Sequence, residues 1–380
     1  MFKDRTLLGL ISAVFLMMIG VGMIVALLPQ RIVDLDGNGK NIGYLASAFA
    51  LSYILFQIPI GNLSDKFGFK PFLVIGYFLC CITGLLFYFS HSSNTIFGAR
   101  FLQGIGEAPI WALAPALLSI KFPLTKGKVM GIYNAAIHLG LTLGPITGVL
   151  LTKVWQNNEV FLVYAFVCFL GAVLITLFVE NMDTKEPQMT ESLDLNNLFI
   201  LLKDRKTLIS LMGITIYGTG YGIFLSTIPA FLIEARSFSS LHIGIFFSLF
   251  YVAISLSQII SGPFTDRFGR KLFMIVGLSM AAAGAIMASL INTLWILSAL
   301  TFASLGLGIF YLSSMTFLNE TVANHLKGTI SGAYYLFWGV GMFFGPPILT
   351  MIADYTTFDF SLMLYSFVML VIACLMKIIL

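Results

Sequence analysis

The chain has 380 residues, 58% of them hydrophobic and only 10% charged, with a formal net charge of +4. Soluble domains average roughly 45–50% apolar and about 25% charged residues, so the composition excludes an ordinary water-soluble domain. A mean hydropathy of +0.96 points the same way, to an integral membrane protein.

A transmembrane helix needs about 20 apolar residues to cross about 30 Å of hydrocarbon. Twelve stretches satisfy this: 6–30, 41–63, 71–90, 95–120, 128–152, 159–180, 207–233, 241–264, 272–291, 293–319, 328–353 and 359–379. A membrane β-barrel would instead show alternating segments of about 10 residues. The expected class is therefore all-α integral membrane, with 12 transmembrane helices. The first stretch is too long for a signal-peptide core and no small-residue cleavage site follows it, so it is expected to be retained as the first helix. Arg31 and Asp34 close it and are expected to anchor it at the interface.

The fourth stretch carries Arg100, Gln103 and Glu107 at i, i+3 and i+7, a spacing that places all three on one helix face. A charge at the membrane centre costs roughly 2.5–3.5 kcal/mol on insertion scales, so both charges should face protein or water. Glu107 is the only acid expected deep within a span, and an intramembrane ionisable residue is a functional candidate by default. A fixed partner such as Arg100 would make it structural instead. Pro109 and Pro115 follow, so a kink is expected there. In the fifth stretch Gly140, Gly144 and Gly148 recur every four residues, one face on which backbones approach closely. His138 lies about 200° around from that face and is a second titratable candidate near neutral pH. Cys80, Cys81, Cys168 and Cys374 lie in apolar stretches without metal-ligand spacing, so they are expected to pack, with no metal or cofactor bound.

With the N-terminus inside, 16 of the 21 Lys and Arg fall on cytoplasmic segments. Only Arg31, Lys40, Lys153 and Arg236 fall outside, and Arg100 lies within a span. This bias orients both termini to the cytoplasm. No basic run with interleaved aromatics marks a nucleic-acid surface.

Shifted by 201 residues, the chain meets itself. GNLSDKFGFK (61–70) falls on GPFTDRFGRK (262–271), KGKVMG (126–131) on KGTISG (327–332), and Gly140, Gly144 and Pro145 on Gly341, Gly345 and Pro346. Position 301, opposite Arg100, is Thr, so the charge was not duplicated with the frame. A six-span repeat preserves topology and relates two halves by an axis along the membrane normal. The expected domains are an N-terminal six-helix bundle at 1–181, a cytoplasmic linker at 182–206 and a C-terminal six-helix bundle at 207–380.

These residues resemble the major facilitator superfamily. Gly61, Leu63, Ser64, Asp65, Lys66, Gly68 and Lys70 are similar to its motif A, with Phe69 where an Arg is usual. Asp266, Arg267, Gly269, Arg270 and Lys271 form a second copy. Arg100, Gln103, Gly104 and Gly106 resemble motif B of the drug:proton antiporter branch, where Glu107 replaces a small residue. Gly131, Gly140, Gly144, Pro145 and Gly148 resemble motif C, with Val149 in place of its last Gly; motif C is associated with exporters. Its partial recurrence at Gly332, Gly341, Gly345 and Pro346 is also compatible with generic helix packing.

The resemblance implies a latch at Asp65 and Asp266 that closes the cytoplasmic side, each carboxylate accepting N–H bonds from a helix N-terminus. Glu320, ending the tenth segment, is expected to be a solvated charge. The resemblance also implies a cavity lined by the segments that carry Trp111, Tyr133, Asn134, Tyr217, Tyr221, Tyr251, Tyr311, Tyr334 and Trp338. Aromatics there suit a flat amphipathic or cationic ligand.

The leading expectation is a secondary transporter of the cell membrane, monomeric, exporting small amphipathic or cationic compounds in exchange for protons. Glu107, Arg100 and His138 are the coupling candidates. An importer or uniporter of a metabolite such as a sugar, organic acid or nucleoside is the alternative, because fold does not fix function. No phosphate-binding G-x4-G-K-(S/T) loop is present, so an ion gradient is the expected driving force. No Ser/His/Asp set or metal cluster favours an enzyme.

Overall fold

The computed structural model describes residues 4–155, 158–180, 201–322 and 327–380; within these, the side chains of residues 57, 58, 62, 65, 66, 126–128, 327 and 328 are not described. The described chain is almost wholly helical: α1 (Arg5–Asp36), α2 (Tyr44–Phe67), α3 (Phe69–Tyr88), α4 (Ser93–Lys121), α5 (Lys126–Leu151), α6 (Glu159–Phe178), α7 (Arg205–Leu225), α8 (Thr227–Glu234), α9 (Ser240–Phe268), α10 (Arg270–Leu290), α11 (Ile296–Thr321), α12 (Lys327–Tyr355) and α13 (Phe358–Ile379). Among the described residues, eleven helical spans are long and apolar enough to cross a membrane, and Tyr44–Phe56 adds a shorter apolar piece of α2. Large apolar side chains face outward, including Phe67, Ile259 and Phe367, as a lipid solvent permits and water does not. The chain is a multi-pass membrane protein.

The seventh span is not the single helix expected over 207–233. It breaks at Ser226 into α7 and α8. Pro229 has no N–H to return to Leu225 and disfavours helical backbone at Ile228. The break is stitched locally: the Ser226 amide bonds the Ile223 carbonyl at 3.2 Å and its hydroxyl the Gly222 carbonyl at 2.7 Å.

Helix starts follow the usual capping chemistry. Asp4, Ser92, Asp204 and Thr357 each accept the backbone N–H three residues on, satisfying one donor that the first turn leaves open. The tight turns between α2 and α3 and between α9 and α10 pass through Gly68 and Gly269, with φ of 81° and 90°. L-residues rarely adopt this conformation, and it is why both copies of the 201-residue repeat carry Gly there.

Two compact units emerge. Among the described residues, the first comprises 4–38, 48–155, 158–180 and 239–248, the second 39–47, 201–238, 249–322 and 327–380. In the first, α1 packs on α5 and α6, and α3 lies between α4 and α6. In the second, α7 packs on α12, and α10 lies against α11 and α13. The two schemes are copies. Gly76 meets the Gly106 carbonyl where α3 and α4 cross, and Gly277 meets the Gly306 carbonyl where α10 and α11 cross. Of the expected linker, 182–206, residues 182–200 lie outside the described residues.

Candidate functional site

The first unit holds the charged site. The i, i+3, i+7 spacing on α4 stacks Arg100, Gln103 and Glu107 as expected, and i+11 adds Trp111. Arg100 Nη1 donates to Gln103 Oε1 at 2.8 Å. Gln103 Nε2 donates to Glu107 Oε1 at 2.8 Å. Trp111 Nε1 donates to Glu107 Oε2 at 3.2 Å. Gln103 is fully buried, Glu107 is 2% exposed and Arg100 4%, whereas Trp111 is 36% exposed. Among the residues whose burial is described, Arg100 and Glu107 are the only buried Asp, Glu, Lys, Arg or His side chains. A buried charge must be paired or hydrogen-bonded, and the ladder hydrogen-bonds both, linking them through Gln103.

Neighbouring helices complete the pocket around this ladder. From α2, the Phe49 ring lies 5.1 Å from the Arg100 guanidinium carbon, a cation–π contact. The Ser52 hydroxyl and Phe49 carbonyl fill the space a side chain at Gly104 would need, so the motif glycine is where α2 and α4 touch. From α5, the Tyr133 hydroxyl donates to the Ile110 carbonyl at 3.0 Å. Phe49 and Ser52 were not legible as site residues, because nothing local to α4 points to α2. Trp111 was expected as an aromatic lining residue; the i+4 spacing from Glu107 carried the further signal.

Other expected site residues are placed elsewhere. His138 is half-buried, and its Nδ1 is buried with no hydrogen-bond partner among the described residues. Asn134 and Gly131 are exposed. Gly140, Gly144 and Gly148 face α1: added Cβ atoms would meet Met18 Cβ at 2.8 Å, the backbone of Ile19 and Gly22, and Met23 Cα at 2.9 Å respectively. Pro145 packs on Gly22. A side chain at Gly131 would meet nothing within 4 Å, so the motif is not one uniform packing face.

Of the first basic turn, Gly61 and Lys70 are half-buried, and the side chains of Asp65 and Lys66 lie outside those described. The second copy is clear. Arg270 pairs with Asp266 one turn earlier, with Glu320 at 3.0 Å, and with the Thr265 hydroxyl at 2.6 Å. Glu320 is exposed, as a solvated terminal charge would be, and it also pairs with Arg270: the end of α11 comes back to the start of α10, which a reading of one segment at a time does not reveal. Arg267 is exposed and lies over Phe268. Arg31 donates to the Ser90 carbonyl at 3.0 Å, tying α1 to the end of α3.

The second unit holds an aromatic cluster in place of a charged one. Tyr217 lies 5.7 Å from Tyr311 and 6.3 Å from Tyr221, centroid to centroid. Tyr221 lies 5.7 Å from Trp338, Tyr311 6.1 Å from Tyr334, and Tyr251 borders the group through Phe250. The Ser314 and Tyr334 hydroxyls are 3.4 Å apart. All six expected aromatics of this half thus share one cluster, which Tyr335 and Phe250 extend. Ring faces stack on flat ligands, and the phenol groups supply hydrogen bonds.

Comparison with known proteins places the chain. The family model described as Major Facilitator Superfamily matches residues 10–239 and again residues 210–380. The chain is 26% identical over 348 residues to an uncharacterised MFS-type transporter of Methanocaldococcus jannaschii, covering 90% of this chain and 89% of that protein. It is 24% identical over 355 residues to multidrug resistance protein 1 of Bacillus subtilis, covering 93% and 90%. Its fold resembles the crystal structure of the nucleoside transporter NupG, with a TM-score of 0.81, 15% identity and coverage of 98% and 98%.

Proposed function

This chain belongs to the major facilitator superfamily, and from that premise we propose that it exports small amphipathic or cationic compounds in exchange for protons by alternating access. It is a transporter of small molecules, not an enzyme. One observation carries the export reading: a carboxylate buried within a span, whose hydrogen-bonded chain ends in a partly exposed indole. Glu107 is the site that holds a proton or a cationic substrate, and Trp111 is the face the substrate meets first. Arg100 keeps the pocket neutral while Glu107 is ionised. A multidrug resistance protein among the relatives supports the same substrate class. His138 is a secondary coupling candidate, the two basic turns at 61–70 and 262–271 act as gates, and Gly140, Gly144 and Gly148 form the sliding surface of α5 on α1. We place the protein in the cell membrane as a monomer, with both termini in the cytoplasm.

The test is efflux of a fluorescent lipophilic cation from cells expressing wild type or Glu107→Gln, each with and without a protonophore. Wild-type efflux collapses with the protonophore, and Glu107→Gln stops efflux while reaching the membrane at normal levels. If Glu107→Gln pumps at the wild-type rate, Glu107 is structural and the assignment fails.

A second reading is transport of a metabolite such as a nucleoside. The hydroxyl-bearing cluster of Tyr217, Tyr311, Tyr334 and Ser314 favours it, since sugar and base edges need hydrogen-bond partners as well as ring faces. Uptake of a labelled nucleoside by a wild type that moves no lipophilic cation would select this reading.

A further inference from the structure

The ladder on α4 has a direction. Arg100 only donates, Gln103 accepts with Oε1 and donates with Nε2, and Glu107 accepts on both oxygens. Trp111 Nε1 only donates. Every hydrogen therefore points toward the carboxylate, which donates nothing while Glu107 carries no proton. A proton from solution that bonds to Glu107 creates an O–H donor, which needs an acceptor of its own. Within the ladder, the sole atom able to accept that O–H is Gln103 Oε1. Reaching it requires the amide to turn over, and the turned amide would present its NH2 group to a guanidinium that has only donors. The Arg100–Gln103 bond then breaks.

We propose that Gln103 is a positioning residue that couples proton occupancy of Glu107 to Arg100: protonation turns the Gln103 amide and releases the Arg100 guanidinium from it. The inference rests on the proposed role of Glu107 and adds to it the residue that relays the event. The environment isolates the pair. Within electrostatic reach of Glu107 are Tyr77 and Cys80 of α3 and Tyr164 and Cys168 of α6. From α5, Tyr133 is committed to the Ile110 carbonyl, and His138 is the one histidine in the sequence of that helix. From α2, Phe49, Ser52 and Tyr53 adjoin, and α1 carries no ionisable side chain between Arg5 and Arg31.

The experiment is pH-induced infrared difference spectroscopy of the full-length protein in lipid, titrated with protons alone. Glutamate is labelled with 13C and arginine with guanidino-15N, so that carboxyl, side-chain amide and guanidinium bands are separately assigned. In wild type the protonated-carboxyl band removed by Glu107→Gln rises with the same midpoint as an amide shift and a guanidinium shift. In Gln103→Met that carboxyl band remains and the guanidinium shift is lost. A carboxyl band that titrates with no accompanying amide or guanidinium change overturns the relay and leaves the role of Glu107 intact. A guanidinium shift that persists in Gln103→Met overturns the relay in the same way. If no carboxyl band depends on Glu107, the proton site itself falls and the relay with it. The wild-type spectra decide the question even if the variant does not fold.

Discussion

Ser47 and Ser248, 201 residues apart, make the same bond. The Ser47 hydroxyl donates to the Phe343 carbonyl at 2.6 Å and the Ser248 hydroxyl to the Thr142 carbonyl at 2.7 Å. The two acceptors are also 201 residues apart. One turn before each serine stands a glycine at the same crossing, Gly43 against Pro346 and Gly244 against Pro145. The duplication thus preserved a helix crossing down to the hydrogen bond, while the charge at Arg100 was not copied. Ser47→Ala and Ser248→Ala should each cost about 0.6–1 kcal/mol, the range for membrane and ordinary intramolecular hydrogen bonds. The two sites share no partner, so the double variant should show the sum in thermal unfolding. A loss in one alone would break the equivalence.

Glycines of the fifth helix should divide into two classes. Gly144→Ala puts a methyl group against the backbone of α1 and should cost about 1–3 kcal/mol, the range for overpacking. Gly131→Ala meets open space and should stabilise the helix by about 0.5–1 kcal/mol. Melting temperatures in detergent separate the two, and equal responses would contradict the packing.

Trp111→Phe keeps the ring and removes the N–H that reaches Glu107. A hydrogen bond to a charged group contributes about 1.5–3 kcal/mol, so cation efflux should fall by roughly tenfold or more at normal protein levels. Efflux at the wild-type rate would place the indole outside the transport cycle.

Asp204 caps α7 and gives a pH-dependent test outside the spans. Its slight burial raises the carboxyl pKa, but bonds from the Thr207 hydroxyl and amide, together with Lys206, outweigh this and lower it overall. A depressed folded-state value means the cap stabilises above the unfolded value of about 3.9, and that this is lost as pH falls through the folded value. Asp204→Ala should therefore cost about 1 kcal/mol at pH 7, with the difference from wild type shrinking below about pH 4. A difference that stays constant down to pH 3 would mean the carboxylate is not the cap.

The sequence alone determined the membrane class, the twelve apolar stretches, the 201-residue repeat and the common face of Arg100, Gln103 and Glu107. These are local properties: hydropathy over one span and side-chain direction over three or four residues follow from helix geometry alone. Only the tertiary structure decided what crosses between helices. It placed Phe49 over Arg100, joined Glu320 to Arg270, gathered six aromatics, Tyr217 and Tyr311 among them, into one cluster, and put Gln103 between Arg100 and Glu107 as the bonded link. It also broke the seventh span at Ser226, where hydropathy runs on unchanged. The reason is physical: an apolar face specifies burial but not its partner, and partners are chosen by close packing among residues far apart in the chain.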